Sequence, residues 1–205
     1  MQMTAMAEKY NQARIDVFEW RNSLAITKKI ALAIGFACFT GLLAQAKMAL
    51  PFTPVPVTGQ TLAVLLAGVF LGRNWGGISM ALYAGIGALG MPWFSGFAGG
   101  AGVLTGATGG YIFGFILTAL FLGYVTDKYV KSRNFWPMAV MMSLATLFLI
   151  FIPGMIQLGV WLNMIKGSPA SFNEIIMMGF TPFVIGAALK VGAAAAIAKT
   201  VTPKQ

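Results

Sequence analysis

The 53 residues from Asn74 to Thr126 contain no charged side chain. A membrane-spanning helix takes about 20 residues, so a block of this length has to hold two spans and a turnaround. Shorter charge-free blocks run from Ile30 to Ala46, from Met48 to Gly72 and from Asn134 to Ile165. Hydrophobic residues make up 58% of the 205, charged residues only 9%, and the mean hydropathy is +0.80. A soluble domain of this size has too little interior for that much apolar side chain. The runs are continuously apolar and do not alternate with period two, which argues against β-barrel spans and for helices. The sequence therefore predicts an all-α integral membrane protein, a bundle of six transmembrane helices near 30–46, 59–72, 75–90, 108–126, 136–160 and 179–199. These fall in one membrane domain, 30–200, preceded by a polar segment, 1–29.

An even number of spans puts both termini on one side of the membrane. Lys9, Arg14, Arg21, Lys28, Lys29, Arg73, Lys128, Lys131, Arg133, Lys199 and Lys204 then share that side, and only Lys47 and Lys166 fall on the other. The positive-inside rule makes the terminal side cytoplasmic. The net charge of +9 reads as topology plus affinity for the anionic headgroups of a lipid bilayer, and not as nucleic-acid binding. Segment 1–29 lacks the apolar core and cleavage pattern of a removable signal peptide. Ile15, Val17, Phe18 and Trp20 beside charged neighbours suit either an interfacial helix or a plain cytoplasmic tail. Cys38 is alone, so no intrachain disulfide can form.

Several chemistries are excluded by what the chain lacks. With no histidine, imidazole-built metal sites and Ser-His or Cys-His nucleophile pairs are ruled out. Glu8, Asp16, Glu19, Asp127 and Glu174 all fall outside the expected spans, so no intramembrane carboxylate pair can relay protons or hold sodium. No G-x-x-x-x-G-K-[ST] sequence occurs. An enzyme is not expected, and no metal or cofactor is implied.

Two connections on the outer side are unusual. The first, 47–59, reads KMALPFTPVPVTG, and its three prolines favour an extended strip with unpaired carbonyls. The second, 90–107, belongs to GMPWFSGFAGGAGVLTGATGG, which combines eight glycines with Trp93, Phe94 and Phe97. Glycine lets backbone approach a ligand closely, and aromatic rings add flat apolar surface, so this stretch reads either as a lid or as a flexible closure. Ala33, Ala37 and Gly41 repeat every fourth residue on the first span. Such a small-residue face lets another helix come close, inside the protein or from a partner.

Lys190 is the one charge within a span. An ionised lysine near a bilayer midplane costs about 2.5–3.5 kcal/mol on insertion scales, which points to a cavity, a partner or an anionic ligand; the competing reading is a side chain snorkelling to the surface.

Three blocks carry a family resemblance: PVPVTGQTLAVLLAGVFLG (Pro54 to Gly72), GMPWFSGFAGGAGVLTGATGGYIFGF (Gly90 to Phe115) and PFVIGAALK (Pro182 to Lys190). In order and spacing they resemble the BioY family, the biotin-specific S-components of energy-coupling factor (ECF) transporters, over roughly residues 25–200. The resemblance implies a six-helix S-component in a prokaryotic inner membrane that captures biotin from outside. It also implies as partners an ECF transmembrane coupling subunit and two cytosolic ATPases, with toppling of the S-component to release the vitamin. Ala33, Ala37 and Gly41 would then form the docking face for the coupling subunit. Biotin's ureido ring needs donors and acceptors, which Gln60 and Thr58 can supply. Thr108 and Tyr111 stand at the start of the fourth span, where helix N–H groups are free. Tyr83, Gln157 and Asn163 are further polar candidates, Trp93 and Phe94 an apolar lid, and Lys190 the partner of the carboxylate. Other roles remain open for some of these: Thr58 as a helix cap, Gln157 as a bond to a neighbouring helix, Trp93 and Trp161 as an interfacial belt. The family pattern carries an acid three residues before this lysine, and Ala187 stands there instead. A second functional class stays open as well, a membrane scaffold or assembly protein with a vestigial pocket.

Overall fold

The computed structural model describes residues 2–203, and most of them are helical. The order is α1 (Gln2–Ser23), α2 (Ile26–Gln45), β1 (Lys47–Met48), β2 (Val57–Thr58), α3 (Gln60–Ala88), α4 (Ala101–Thr105) and α5 (Gly109–Lys128). Then come α6 (Phe135–Ile165), α7 (Phe172–Gly179) and α8 (Val184–Val201). Among the described residues, five helical stretches are long and apolar enough to cross a membrane: Ile26–Gln45, Gln60–Ala88, Gly109–Lys128, Phe135–Ile165 and Phe172–Val201. This is a multi-pass membrane protein. Lys204, counted above with the terminal charges, lies outside the described residues.

Helix α3 doubles back on itself. A straight helix would hold Gln60 and Tyr83 roughly 35 Å apart, yet Gln60 Nε2 donates to Tyr83 Oη at 2.7 Å. The reversal falls at Gly72, whose φ of 77° and ψ of −178° are open to glycine and strained for other residues. Two arms, 60–71 and 73–88, therefore lie side by side, where the sequence places two spans and a minimal turn. The first N–H of the second arm, Arg73 N, donates to Asp127 Oδ2 at 3.0 Å, so an acid from the end of α5 caps the broken helix. Further along, Pro153 has no N–H to give the preceding turn, and α6 widens to i→i+5 bonding over Ala145–Phe151.

The interior has two apolar centres. At one end of the bundle, Leu65, Leu66, Val69, Leu122, Met138 and Met142 pack against Val191, Ala194, Ala195 and Ala198 of α8. The three alanines let α8 lie close to its neighbours. At the other end, Tyr83, Phe94, Tyr111, Phe115, Phe151 and Phe183 surround the cavity described below.

Segment 2–23 is a helix laid across the ends of its neighbours. Tyr10 Oη donates to Thr200 O at 2.6 Å and Arg14 Nη2 donates to Lys199 O. Arg21 pairs with Asp127 at 2.6 Å, and the Phe18 ring lies between the guanidinium groups of Arg21 and Arg133, 4.0 and 4.4 Å from its centroid. Arg133 also donates to the carbonyls of Thr126 and Pro203. Burial lowers the pKa of Arg133 from its ordinary value, with Asp127 opposing.

Three expectations are corrected. Ala33, Ala37 and Gly41 are buried: Ser79 Oγ donates to Ala33 O at 2.7 Å, and a β-carbon on Gly41 would come within 2.9 Å of Trp93 Cβ. Their face packs against the second arm of α3 and Trp93, so it is not free for a partner. Segment 47–59 is not an open strip, because Lys47 and Met48 pair antiparallel with Thr58 and Val57, and Thr53 Oγ1 donates to Met178 O at 2.8 Å. Finally, the last span is broken at Phe180–Phe183, with Pro182 inside a 3₁₀ turn.

Candidate ligand-binding cavity

A cavity of about 460 Å³ opens between the loops 47–59 and 90–107 and the ends of α3, α5, α6 and α8, a volume within the usual range of small-molecule sites. Its roof is Thr53, Pro54, Val55 and Pro56 from the first loop with Phe94, Ser95 and Ala98 from the second. Its walls are Gln60, Thr108, Tyr111, Ile112, Phe115, Ile150, Phe151, Trp161, Phe183, Ala187 and Lys190. Tyr111, Phe151 and Phe183 form an aromatic side with ring centroids 6.2–6.5 Å apart.

Tyr111 also explains how the break before α8 is held. Its hydroxyl donates to Gly179 O at 2.8 Å, satisfying a carbonyl that the interrupted helix leaves over. One helical turn then carries the chain from Phe183 to Ala187, and Lys190 follows on the same cavity wall. The two lysines on the cavity, Lys190 and Lys47, have neither a hydrogen-bond nor an ion-pair partner among the described residues. Lys190 is half-buried and Lys47 is exposed. Among the described residues no carboxylate lines the cavity, so the formal charges they place on it are all positive.

A relay of hydrogen bonds fixes the polar wall. Thr58 Oγ1 donates to Gln60 Oε1 at 2.7 Å, Gln60 Nε2 donates to Tyr83 Oη at 2.7 Å, and Tyr83 Oη donates onward to Trp93 O at 3.4 Å. Trp93 Nε1 donates back to Tyr83 O at 3.0 Å. Gln60 retains one N–H and one lone pair for a ligand.

Of the residues singled out from the sequence, Lys190, Gln60, Thr58, Phe94, Thr108 and Tyr111 meet on this cavity. Four others do not. Tyr83 stands behind Gln60 and is fully buried. Trp93 is no lid: it is buried between α2 and Tyr83, its ring 5.5 Å from the Tyr83 ring, because its indole N–H finds a partner there. Gln157 faces a separate cleft and donates to the carbonyls of Leu104 and Gly106 at 3.5 and 3.3 Å, bracing the second loop. Asn163 closes the turn after α6, donating to Gly159 O at 2.9 Å and accepting from Ala170 N at 2.8 Å. Thr58 does not cap α3. The sequence reading missed Lys47 and Ser95 as cavity residues, and Gln45 as the clamp on the second loop. Lys47 did carry a signal: it is one of only two basic residues assigned to the outer side, and it opens the proline strip.

The family model of the BioY family matches residues 9–204. The chain belongs to the BioY family. Among curated relatives, a probable biotin transporter BioY of Methanothermobacter thermautotrophicus is 46% identical over 140 residues, covering 68% of this chain and 89% of the relative. The biotin transporter BioY of Thermotoga maritima is 38% identical over 161 residues, 78% of this chain and 89% of that one. Among solved structures, the S-component for biotin from an ECF-type ABC transporter superposes with a TM-score of 0.74 at 21% identity, covering 86% of this chain and 93% of that one. The BioY-family chain therefore shares that fold, and its cavity sits beneath loops whose sequence blocks carried the resemblance.

Proposed function

We propose that this chain is the substrate-capturing subunit for biotin uptake, working as the S-component of an ECF-type transporter. One observation carries the reading: a roofed, aromatic-walled cavity whose only charges are cationic. A bicyclic apolar ring system with hydrogen-bonding ureido edges and a terminal carboxylate satisfies every part of it. The rings lie against Phe151, Phe183 and Tyr111, Gln60, Thr58 and Thr108 serve polar edges, and Lys190 takes the carboxylate in a charge-assisted bond. A cationic vitamin would meet only repulsion.

With α3 counted as two arms, the chain makes six membrane crossings. Both termini and α1 lie on the cytoplasmic side of a prokaryotic inner membrane, and the cavity opens outward. Segment 1–29 is then cytoplasmic, with α1 strapped under the membrane domain 30–200. The partners are a transmembrane coupling subunit and two cytosolic ATPases. Because Ala33, Ala37 and Gly41 are spent internally, docking uses the opposite face of α2, where Ile34 and Leu42 are exposed and a β-carbon on Gly35 would meet open space. Nothing in the structure favours a scaffold with a vestigial pocket.

Saturable binding of radiolabelled biotin to the detergent-purified chain tests the reading. A binding curve that stays linear with concentration, and is not displaced by unlabelled biotin, would refute it.

A further inference from the structure

Ser95 has a buried hydroxyl oxygen with no hydrogen-bond partner among the described residues, and it stands on the cavity wall. An orphaned buried hydroxyl costs about 1–3 kcal/mol, so its natural partner is a group that enters the cavity.

The backbone around Ser95 is tightly specified. Phe94 N donates to Ala98 O at 3.0 Å, closing a turn in which Gly96 and Phe97 have φ of 77° and 57°. A left-handed phenylalanine is costly and persists only where its surroundings over-determine it. Gln45 at the end of α2 provides that restraint. Its amide N–H groups donate to Trp93 O and Phe94 O at 3.3 and 3.1 Å, and its carbonyl accepts from Phe97 N at 3.0 Å. Lys47 completes the arrangement: a β-carbon on Gly96 would collide with the Lys47 ammonium, so that head lies against this turn.

The two cavity lysines are not equivalent. One carboxylate can neutralise only one of them. An exposed ion pair at Lys47 would contribute about 0–1 kcal/mol, whereas Lys190 is half-buried within a span and has more to gain. With the carboxylate at Lys190, the loop end of the cavity offers two donors, the Ser95 O–H and the Lys47 ammonium held against Gly96. Two donors and no acid suit a strong neutral acceptor. We propose that Ser95 and Lys47 form a second polar subsite, built from the two outer loops, that receives the ureido carbonyl oxygen of biotin. This rests on the biotin reading above and fixes the direction in which the ligand lies.

The test measures binding of three ligands to the detergent-purified full chain: biotin, biotin methyl ester, and the guanidine analogue in which a protonated imino nitrogen replaces the ureido oxygen. Ser95→Ala should weaken biotin and the ester alike by roughly 5- to 15-fold, the worth of one buried hydrogen bond. Lys47→Met should narrow the preference for biotin over the cationic analogue by roughly threefold or more, because a cation then no longer faces a cation. The subsite is overturned if Ser95→Ala leaves biotin unchanged, if it weakens biotin but not the ester, or if Lys47→Met leaves the preference unchanged. Should Ser95→Ala fail to fold, the Lys47→Met ratio decides, since Lys47 is exposed. A wild-type chain that does not bind biotin overturns the biotin reading together with the subsite; a wild type that binds biotin with indifferent variants overturns the subsite alone.

Discussion

Replacing Lys190 with methionine removes the ammonium while keeping most of the unbranched apolar stem, so the aromatic wall of the cavity keeps its shape. Two opposite effects follow from the geometry. In the bound state the variant loses a hydrogen bond to a charged group, about 1.5–3 kcal/mol, which corresponds to a roughly 12- to 160-fold weaker Kd for biotin. Biotin methyl ester offers no charge to Lys190 and should lose far less. In the empty state the sign reverses. Lys190 is half-buried and without a partner among the described residues, and the residue one turn before it is Ala187, not an acid. An unpaired lysine at a bilayer midplane costs about 2.5–3.5 kcal/mol on insertion scales, and access to the cavity reduces that. A gain of about 1 kcal/mol for the empty variant would raise its melting temperature by about 2–4 °C. The assay is a pair of thermal melts in detergent, with and without ligand, alongside titrations with biotin and its ester. Equal losses for the two ligands would refute the pairing with the carboxylate. A lower melting temperature for the empty variant would show that Lys190 is already satisfied without a ligand.

Two further substitutions test the supports of the site. Tyr83→Phe should leave Gln60 Nε2 without its 2.7 Å partner and destabilise the chain by about 1–3 kcal/mol; biotin affinity should fall several-fold, and an unchanged melt and titration would show that the relay positions nothing. Asp127→Ala removes both the Arg21 ion pair and the acceptor for Arg73 N. Loss of the cap should cost about 0.5–2 kcal/mol, and amide hydrogen exchange should accelerate across α1 while biotin binding at the far end of the bundle stays near wild type.

Much of the architecture was legible in the charge pattern, because the bilayer removes choices. Uncharged blocks of 17 or more residues have to be helices in lipid, where each backbone N–H and C=O must be satisfied within its own segment. The turn between the arms of α3 was legible for the same reason, with a charged Arg73 following Gly72 in an otherwise apolar run. Lys190 stood out because a lone charge in a span needs a cause. What local sequence could not decide was which polar residues reach the cavity and which brace it. Thr58, Gln60 and Tyr83 look alike as candidates along the chain, yet the reversal at Gly72 stacks them into a relay in which Tyr83 is spent. Trp93 and Phe94 are neighbours of similar character, yet Phe94 lines the cavity while Trp93 turns to the Tyr83 carbonyl. Ala33, Ala37 and Gly41 permit close packing, but only the position of Ser79 and Trp93 decided that the packing is internal. Lys47 and Ser95 are separated by 48 positions and became one candidate subsite only when two loops closed over the same space. Composition and charge order thus determined that the chain crosses the membrane and where a half-buried cation lies. The choice of partners for each polar group belonged to the tertiary structure, because hydrogen bonds are allocated by distance in space and not by distance along the chain.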